Sequence, residues 1–270
     1  MLIIGERINT SRKQIEPAVV KRDAAFIQEE ARKQKEAGAD FIDVNCGTLV
    51  EEEPAGLAWL VQTVQAEVDT PLSLDSPNPA ALQKALAVHK GKPIVNSISM
   101  EKQRYSQLLP LLQEYKPAVV ALSMGDEGLP NTVEERYELG SRLVDGLVSA
   151  GISLSDIYLD PLVRPVGTDP QAGVTLLKTI KRFRETWPEI HIICGLSNIS
   201  YGMPVRRLIN QSFLVLAIQA GLDAAILDPL DQQLMGLLYA TRFLVGEDEY
   251  GVDYLQAFRS GRLGEEVKES

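Results

Sequence analysis

The chain has 270 residues, 45% of them apolar, and a formal net charge of −10, so one globular domain with a sizeable core is expected. So acidic a chain, without a cluster of Lys or Arg, excludes recognition of nucleic acid through its phosphates and weighs against anionic membranes. No apolar run approaches bilayer-spanning length, the opening LII meets Glu6 and Arg7 at once, and Cys46 and Cys194 form no CxxC pair, which together predict a cytoplasmic protein with both cysteines as small buried hydrophobes.

Eight apolar, largely β-branched runs each end at a polar residue. In chain order they are LIIGER into Asn9, DFIDVN at Asn45, PLSLD at Asp75, KPIVN at Asn96, AVVALS at Ser123, IYLD at Asp160, IICGLSN at Asn198 and AAILD at Asp228. Short continuous apolar runs bounded by turn residues suit strands buried on both faces of a parallel sheet. Between them the apolar positions recur at three- and four-residue spacing, predicting helices over 24–37, 79–88, 133–149 and 206–220. Gly38, Gly91, Gly151 and Gly221 follow these or similar stretches where a left-handed C-cap is expected. Alternating strands and helices at this length imply one (β/α)8 TIM barrel over 1–262, with a weak break at 246–251, a short helix within 253–260 and a charged, disordered tail at 263–270.

A barrel names no reaction, so function must be read from groups at the C-terminal ends of its strands. His191 precedes the seventh strand and His89 lies at a helix end, so both read as structural, and no Lys stands at a strand end to form a Schiff base. With those two misplaced histidines a metal-dependent hydrolase is weakened, although Asp43, Asp75 and Asp160 leave a Mg²⁺ site open. The mouth instead offers acceptors and carboxamides: Asp43, Asn45, Asp75, Asn96, Asp160 and Asn198. A 2-amino-4-oxo pyrimidine edge presents two parallel N–H donors to one carboxylate, and its ring nitrogens and carbonyl suit Asn, which donates and accepts. Pterins carry that edge. Any one of these residues could equally cap a helix or close a turn, a reading that fits Asp228 before Pro229 well.

GERIN (5–9), DVN (43–45), LDS (74–76), VNS (95–97), YLDPL (158–162), GLSN (195–198), RRLIN with Phe213 (206–213) and GLDAAILD (221–228) resemble, in order, the methyltetrahydrofolate:corrinoid protein methyltransferases. The resemblance covers nearly the whole chain and extends to the folate domain of cobalamin-dependent methionine synthase and, more distantly, to dihydropteroate synthase, all pterin-binding TIM barrels. It implies that Asp75, Asn96 and Asp160 hold the pterin edge, with Asn9, Asp43, Ser197 and Tyr201 as further binding residues, that Asn198 hydrogen-bonds N5, and that Arg206 contacts the folate. The chain departs from the family at Tyr201, where a polar amide is often found near the pterin, and throughout YGMPV (201–205).

The implied reaction moves a methyl group between N5 of tetrahydrofolate and the cobalt of a corrinoid (cobalamin), in either direction. No DxHxxG corrinoid-binding segment occurs, so the corrinoid must arrive on a separate protein. The resemblance also implies a homodimer, to which the apolar segment 208–221 could contribute, although packing of a barrel helix on its sheet explains the same pattern. The alternatives are a dihydropteroate synthase-like enzyme and a non-catalytic folate carrier, the latter needing Asp75, Asn96 and Asp160 but not Asn198.

Overall fold

The structure, a computed structural model, describes residues 1–263. Its strands are β1 (Leu2–Asn9), β2 (Phe41–Asn45), β3 (Leu72–Asp75), β4 (Ile94–Ser99), β5 (Ala118–Leu122), β6 (Ile157–Asp160), β7 (His191–Gly195) and β8 (Ala224–Leu227), closed in chain order into a parallel barrel. Around it run α1 (Ile15–Val20), α2 (Ala24–Glu36), α3 (Glu53–Gln65), α4 (Pro79–Val88), α5 (Lys102–Tyr115), α6 (Val133–Ser149), α7 (Ala172–Thr186), α8 (Arg206–Ala220), α9 (Gln232–Leu244) and α10 (Val252–Arg259). The TIM barrel expected from the sequence is therefore the fold, and β1 pairs with β8 from Leu2↔Ala224 to Gly5↔Leu227 to complete the closure.

Two apolar cores follow from burying both faces of every strand. Alternate side chains point outward against the helices and form a large annular core, with Ile42, Val44, Leu72, Leu74 and Cys194 among its members. The others point inward and form a small plug of Ile4, Ile94, Ala118, Val120, Tyr158, Ile193 and Ala224. The helices begin and end where the sequence placed its signals. Thr132 and Glu135 close a reciprocal capping box on α6, Asp23 and Asn78 cap α2 and α4, and Gly38, Gly91, Gly151 and Gly221 all have positive φ, between 86° and 108°.

Three strand ends differ from the sequence reading. β4 continues past Asn96 to Ser99, because Ile98 finds a place in the annular core after a register irregularity and a cis Asn96–Ser97 peptide. β5 stops at Leu122, and Ser123 is fully buried. β7 stops at Gly195, and Asn198 lies beyond it in a 3-10 turn, Leu196–Ser200. Leu263, the first residue assigned to the charged tail, is a partly buried residue packed against the annular core, and the remainder of that tail lies outside the described residues. No helix among the described residues is long and apolar enough to cross a membrane.

Candidate active site

Parallel register fixes which strand-end residues can meet. Asn9 pairs with Asn45, Asn45 with Asp75 and Asp75 with Asn96, so four polar groups stand side by side at one level of the barrel. Asp43 lies two residues deeper on β2, and Asp160 ends β6 opposite Leu122. Together with Ser197, Asn198 and Arg206 from the segment after β7, all of these except Asn45 line one chamber of about 640 Å³ at the C-terminal mouth. Eight of the nine residues given a binding or catalytic role from the sequence, Asn9, Asp43, Asp75, Asn96, Asp160, Ser197, Asn198 and Arg206, thus come together there. Tyr201, the ninth, is 69% exposed and does not line it.

The carboxyl groups are held by neutral donors. Asp43 is buried and accepts from Ser73 Oγ at 2.6 Å and from the Asn96 amide at 3.3 Å, while Asp75 accepts from the Asn45 amide at 2.9 Å. Burial, reinforced by the neighbouring Asp75 charge, keeps the Asp43 carboxyl well above the usual carboxylate range. Burial also pushes Asp75 up to about 6, against the Asn45 hydrogen bond and the Arg104 cation that favour its charged form. Of the two, Asp43 is therefore the carboxyl more disposed to hold a proton. Asp160 accepts the Leu162 N–H at 2.7 Å and is pushed by burial up to about 7, opposed by that bond and by Arg136. Leu162 makes this bond from a left-handed backbone, φ 64°, a conformation costly for leucine that places the N–H on the carboxylate.

Asn198 differs from these in having no structural duty among the described residues. Its side chain is exposed within the chamber and forms no hydrogen bond with another described residue. Gly195 makes its position feasible, since a Cβ there would meet Asn198 Nδ2 at 2.9 Å. Arg206 is fixed at the start of α8 by Nε to Ser200 Oγ at 3.0 Å and Nη2 to the Ser197 carbonyl at 2.7 Å. Asn9 is partly spent on its own turn, accepting from the Ser11 N–H at 2.9 Å.

Several lining residues were not assigned from the sequence. Glu6, raised by burial and opposed by its ion pair with Arg12 at 3.0 Å, belongs to the quoted GERIN segment, and that membership was the available signal. Ser97 in VNS and Leu162 in YLDPL offered the same signal, whereas Arg12 and Val163 carried none. Arg104 ties the end of β4 to the following turn of β3, donating to Ser97 O and Ser76 O, and its cation favours an ionised Asp75. Asp228 accepts the Leu230 N–H at 3.1 Å and pairs with Arg7, as its turn-closing reading required. His89 and His191 are structural: Gln65 lies 3.2 Å from the first, and the second stacks on Tyr158 and bonds Asp223 at 2.9 Å. Among the described residues no group of three or more His, Cys, Asp or Glu side chains has the arrangement to hold a metal ion, so the Mg²⁺ option on Asp43, Asp75 and Asp160 gains no support.

What such a chamber can do is accept N–H donors from a flat polar ring on two ionisable carboxyls, offer carboxamides to its ring atoms, and present one free amide above it. Residues 5–228 match the model of a family described as pterin binding enzyme. The chain is 39% identical over 266 residues to a methylcorrinoid:tetrahydrofolate methyltransferase of Eubacterium limosum, covering 98% of each protein. It is 28% identical over 239 residues to the methionine synthase of Mycobacterium tuberculosis, a match spanning 84% of this chain and 20% of that enzyme. Among solved structures, the 7,8-dihydropteroate synthase of Vibrio fischeri superposes with a TM-score of 0.73 at 18% identity over 91% of this chain and 93% of that one, a likeness of fold.

Proposed function

Since the chain belongs to the pterin-binding enzyme family, we propose that it is a methyltransferase acting between tetrahydrofolate and the corrinoid of a separate protein. The relative of 39% identity is named for transfer from methylcorrinoid to tetrahydrofolate, and we take the same direction here. The observation that carries this reading is the gathering of ring-binding carboxyls and an uncommitted carboxamide, Asn198, in one chamber.

In this reading Asp75 and Asp160 accept the N–H donors of the pterin, Asn96 bridges ring and Asp43, and Arg206 and Asn9 contact the folate nearer the mouth. Transfer breaks the cobalt–carbon bond, leaves its electron pair on the metal as cob(I)alamin, forms the N5–CH₃ bond from the N5 lone pair and releases the N5 proton. In reverse N5 is a poor leaving group, and a hydrogen bond that strengthens as its charge changes lowers the barrier by differential binding of the transition state. Asn198 is suited to that task because its amide both donates and accepts and is not needed for the fold. The remainder of the catalysis is placement of two large cofactors.

The test is calorimetric titration with tetrahydrofolate and 5-methyltetrahydrofolate, then mixing with methylcobalamin or cob(I)alamin while the corrinoid spectrum is followed. Asn198→Ala should lower turnover by about 10²–10³ while changing folate affinity by no more than a few-fold. Binding without any methyl transfer, with or without the native corrinoid protein, would make the protein a folate carrier. Absence of folate binding would remove the proposal altogether.

We also propose a cytoplasmic homodimer. The inner face of α8 is used on the barrel through Phe213, Leu214, Ala217 and Ile218, but its outer face leaves Leu208 and Leu216 exposed, which supports a contact there. Sedimentation equilibrium of the wild type and of Leu216→Lys tests it: a monomeric wild type sinks the idea.

A further inference from the structure

A second cavity, of about 280 Å³, opens off the chamber, and Glu6, Ser197 and Arg206 line both. The carboxylates of this annex are committed within the fold. Asp228 pairs with Arg7 at 3.0 Å and accepts the Leu230 N–H at 3.1 Å, Asp231 caps α9 through the Leu234 N–H at 3.1 Å, and Glu6 pairs with Arg12 at 3.0 Å. The donors of the annex keep capacity in hand. Arg206 donates to two neutral oxygens, Ser200 Oγ and the Ser197 carbonyl, and has no carboxylate within ion-pair distance among the described residues. The Arg207 side chain is 80% exposed, and its approach to Asp231, at 3.6 Å, is beyond hydrogen-bond length. Asn210 Oδ1 is buried with no hydrogen-bond partner among the described residues, although buried polar atoms are ordinarily paired. These three residues belong to the start of α8, which has no side-chain cap and adds the positive pole of a helix.

Barrel order decides which part of a bound folate reaches this annex. In the folate reading the pyrimidine edge sits on Asp75, Asn96 and Asp160, while N5 meets Asn198. C6, which carries the p-aminobenzoylglutamate tail, is bonded to N5 and lies on the side of the bicycle away from the pyrimidine edge. In the closed barrel β7 and β8 stand directly across from β3 and β4. The annex is built on that far side, from Ser197 and Arg206 after β7, Asp228 after β8, and Glu6 and Arg7 of the adjoining β1. We propose that the annex is a glutamate-tail site, in which Arg206 and Arg207 take the glutamyl carboxylates and the Asn210 carboxamide takes the benzamide N–H. Guanidinium and carboxylate match in charge and fork geometry, and the buried acceptor gains the donor that the fold does not give it. The inference rests on the folate reading and adds that the protein selects folates over tetrahydropterins that lack the tail.

The experiment measures by calorimetry the affinities for tetrahydrofolate and for 6-methyltetrahydropterin, which has the ring but no tail, in the wild type, Arg207→Ala, Arg207→Glu and Asn210→Ala, at low and at high salt. The wild type should bind tetrahydrofolate at least about tenfold more tightly than the tail-less ring, an advantage that shrinks as salt rises. Arg207→Ala should weaken tetrahydrofolate by about threefold and Arg207→Glu by about tenfold, and Asn210→Ala should weaken it by about tenfold, each leaving 6-methyltetrahydropterin unchanged. The exposed Arg207 can be replaced without disturbing the fold, so its two variants decide the matter even if Asn210→Ala does not fold. Equal affinity of the wild type for the two ligands, or variant losses that are the same with and without the tail, overturns the proposal. Ring binding without a tail advantage defeats the annex alone, whereas a wild type that binds neither ligand defeats the folate reading beneath it.

Discussion

At the N-terminal end of the barrel Asp223 accepts the Ile192 N–H at 2.6 Å, bonds His191 at 2.9 Å and lies 2.7 Å from Arg184; Asp40 accepts the Ile3 N–H at 2.8 Å, and Asp156 pairs with Lys92. At the C-terminal end Asp43, Asp75 and Asp160 have only neutral hydrogen-bond donors among the described residues, and burial raises all three, as it also raises Asp40 at the lower rim. The residue type and its place at strand termini are the same. What differs is whether the carboxylate is satisfied by the fold or kept under-satisfied for something that is not part of the chain. The lower rim uses its carboxylates to close strand ends, and the upper rim leaves binding capacity at an energetic cost to the folded state.

Substitutions at the two rims should therefore separate binding from stability. Asp160→Ala at the upper rim should weaken 5-methyltetrahydrofolate by about a hundredfold, the scale of a lost charged hydrogen bond in a buried site, as read by calorimetry. Asp160→Asn should do the opposite to stability. A carboxyl raised to about 7 retains a proton that the unfolded chain gives up near pH 4, so stability of the unliganded protein falls as pH rises through that window. At pH 8 Asn in that place should raise unfolding free energy by about 2 kcal/mol, and denaturant melts at pH 5 and pH 8 check the difference. Folate affinity of the wild type should have the contrary slope, weakening as pH falls through 7 and then 6, because a protonated Asp160 or Asp75 loses its charge and turns one of its two acceptor oxygens into a donor.

Asp223→Ala at the lower rim should cost about 1–2 kcal/mol of stability by leaving the Ile192 N–H and Arg184 without their acceptor, with folate affinity unchanged. The smallest effect is expected at Gly195→Ala. Its φ of −72° suits any residue, so the fold tolerates the change, but the new methyl group would displace the Asn198 amide. Turnover should drop by about tenfold with binding of the ring retained. Equal losses of turnover and affinity there would mean that Asn198 anchors the folate rather than assisting N5.

These contrasts also mark what could be read from the sequence. Continuous β-branched runs ending in Asp, Asn or, for β5, Ser located the eight strands and the upper rim, because burial on both faces leaves a period-free apolar signal and register then brings the end residues together. Asn198 was singled out through GLSN, but its 3-10 turn was not, since the run IICGLSN carries no turn dipeptide to end the strand at Gly195 rather than at Asn198. Apart from Arg206, the arginines that act near the site were illegible. Arg104 acts on Ser76 from 28 residues away, Arg12 reaches Asp228 at the other end of the chain, and Arg136 is buried within a helix whose charged pattern reads as solvated. Such pairings exist only after the barrel has closed.

The inward-facing plug beneath the chamber has a consequence for the order of events. Ile4, Ile94, Val120 and Ile193 fill the barrel interior beneath the chamber. In the methyltransferase reading proposed above, the folate would use the same mouth that a corrinoid protein would cover, which would make the smaller cofactor first in and last out.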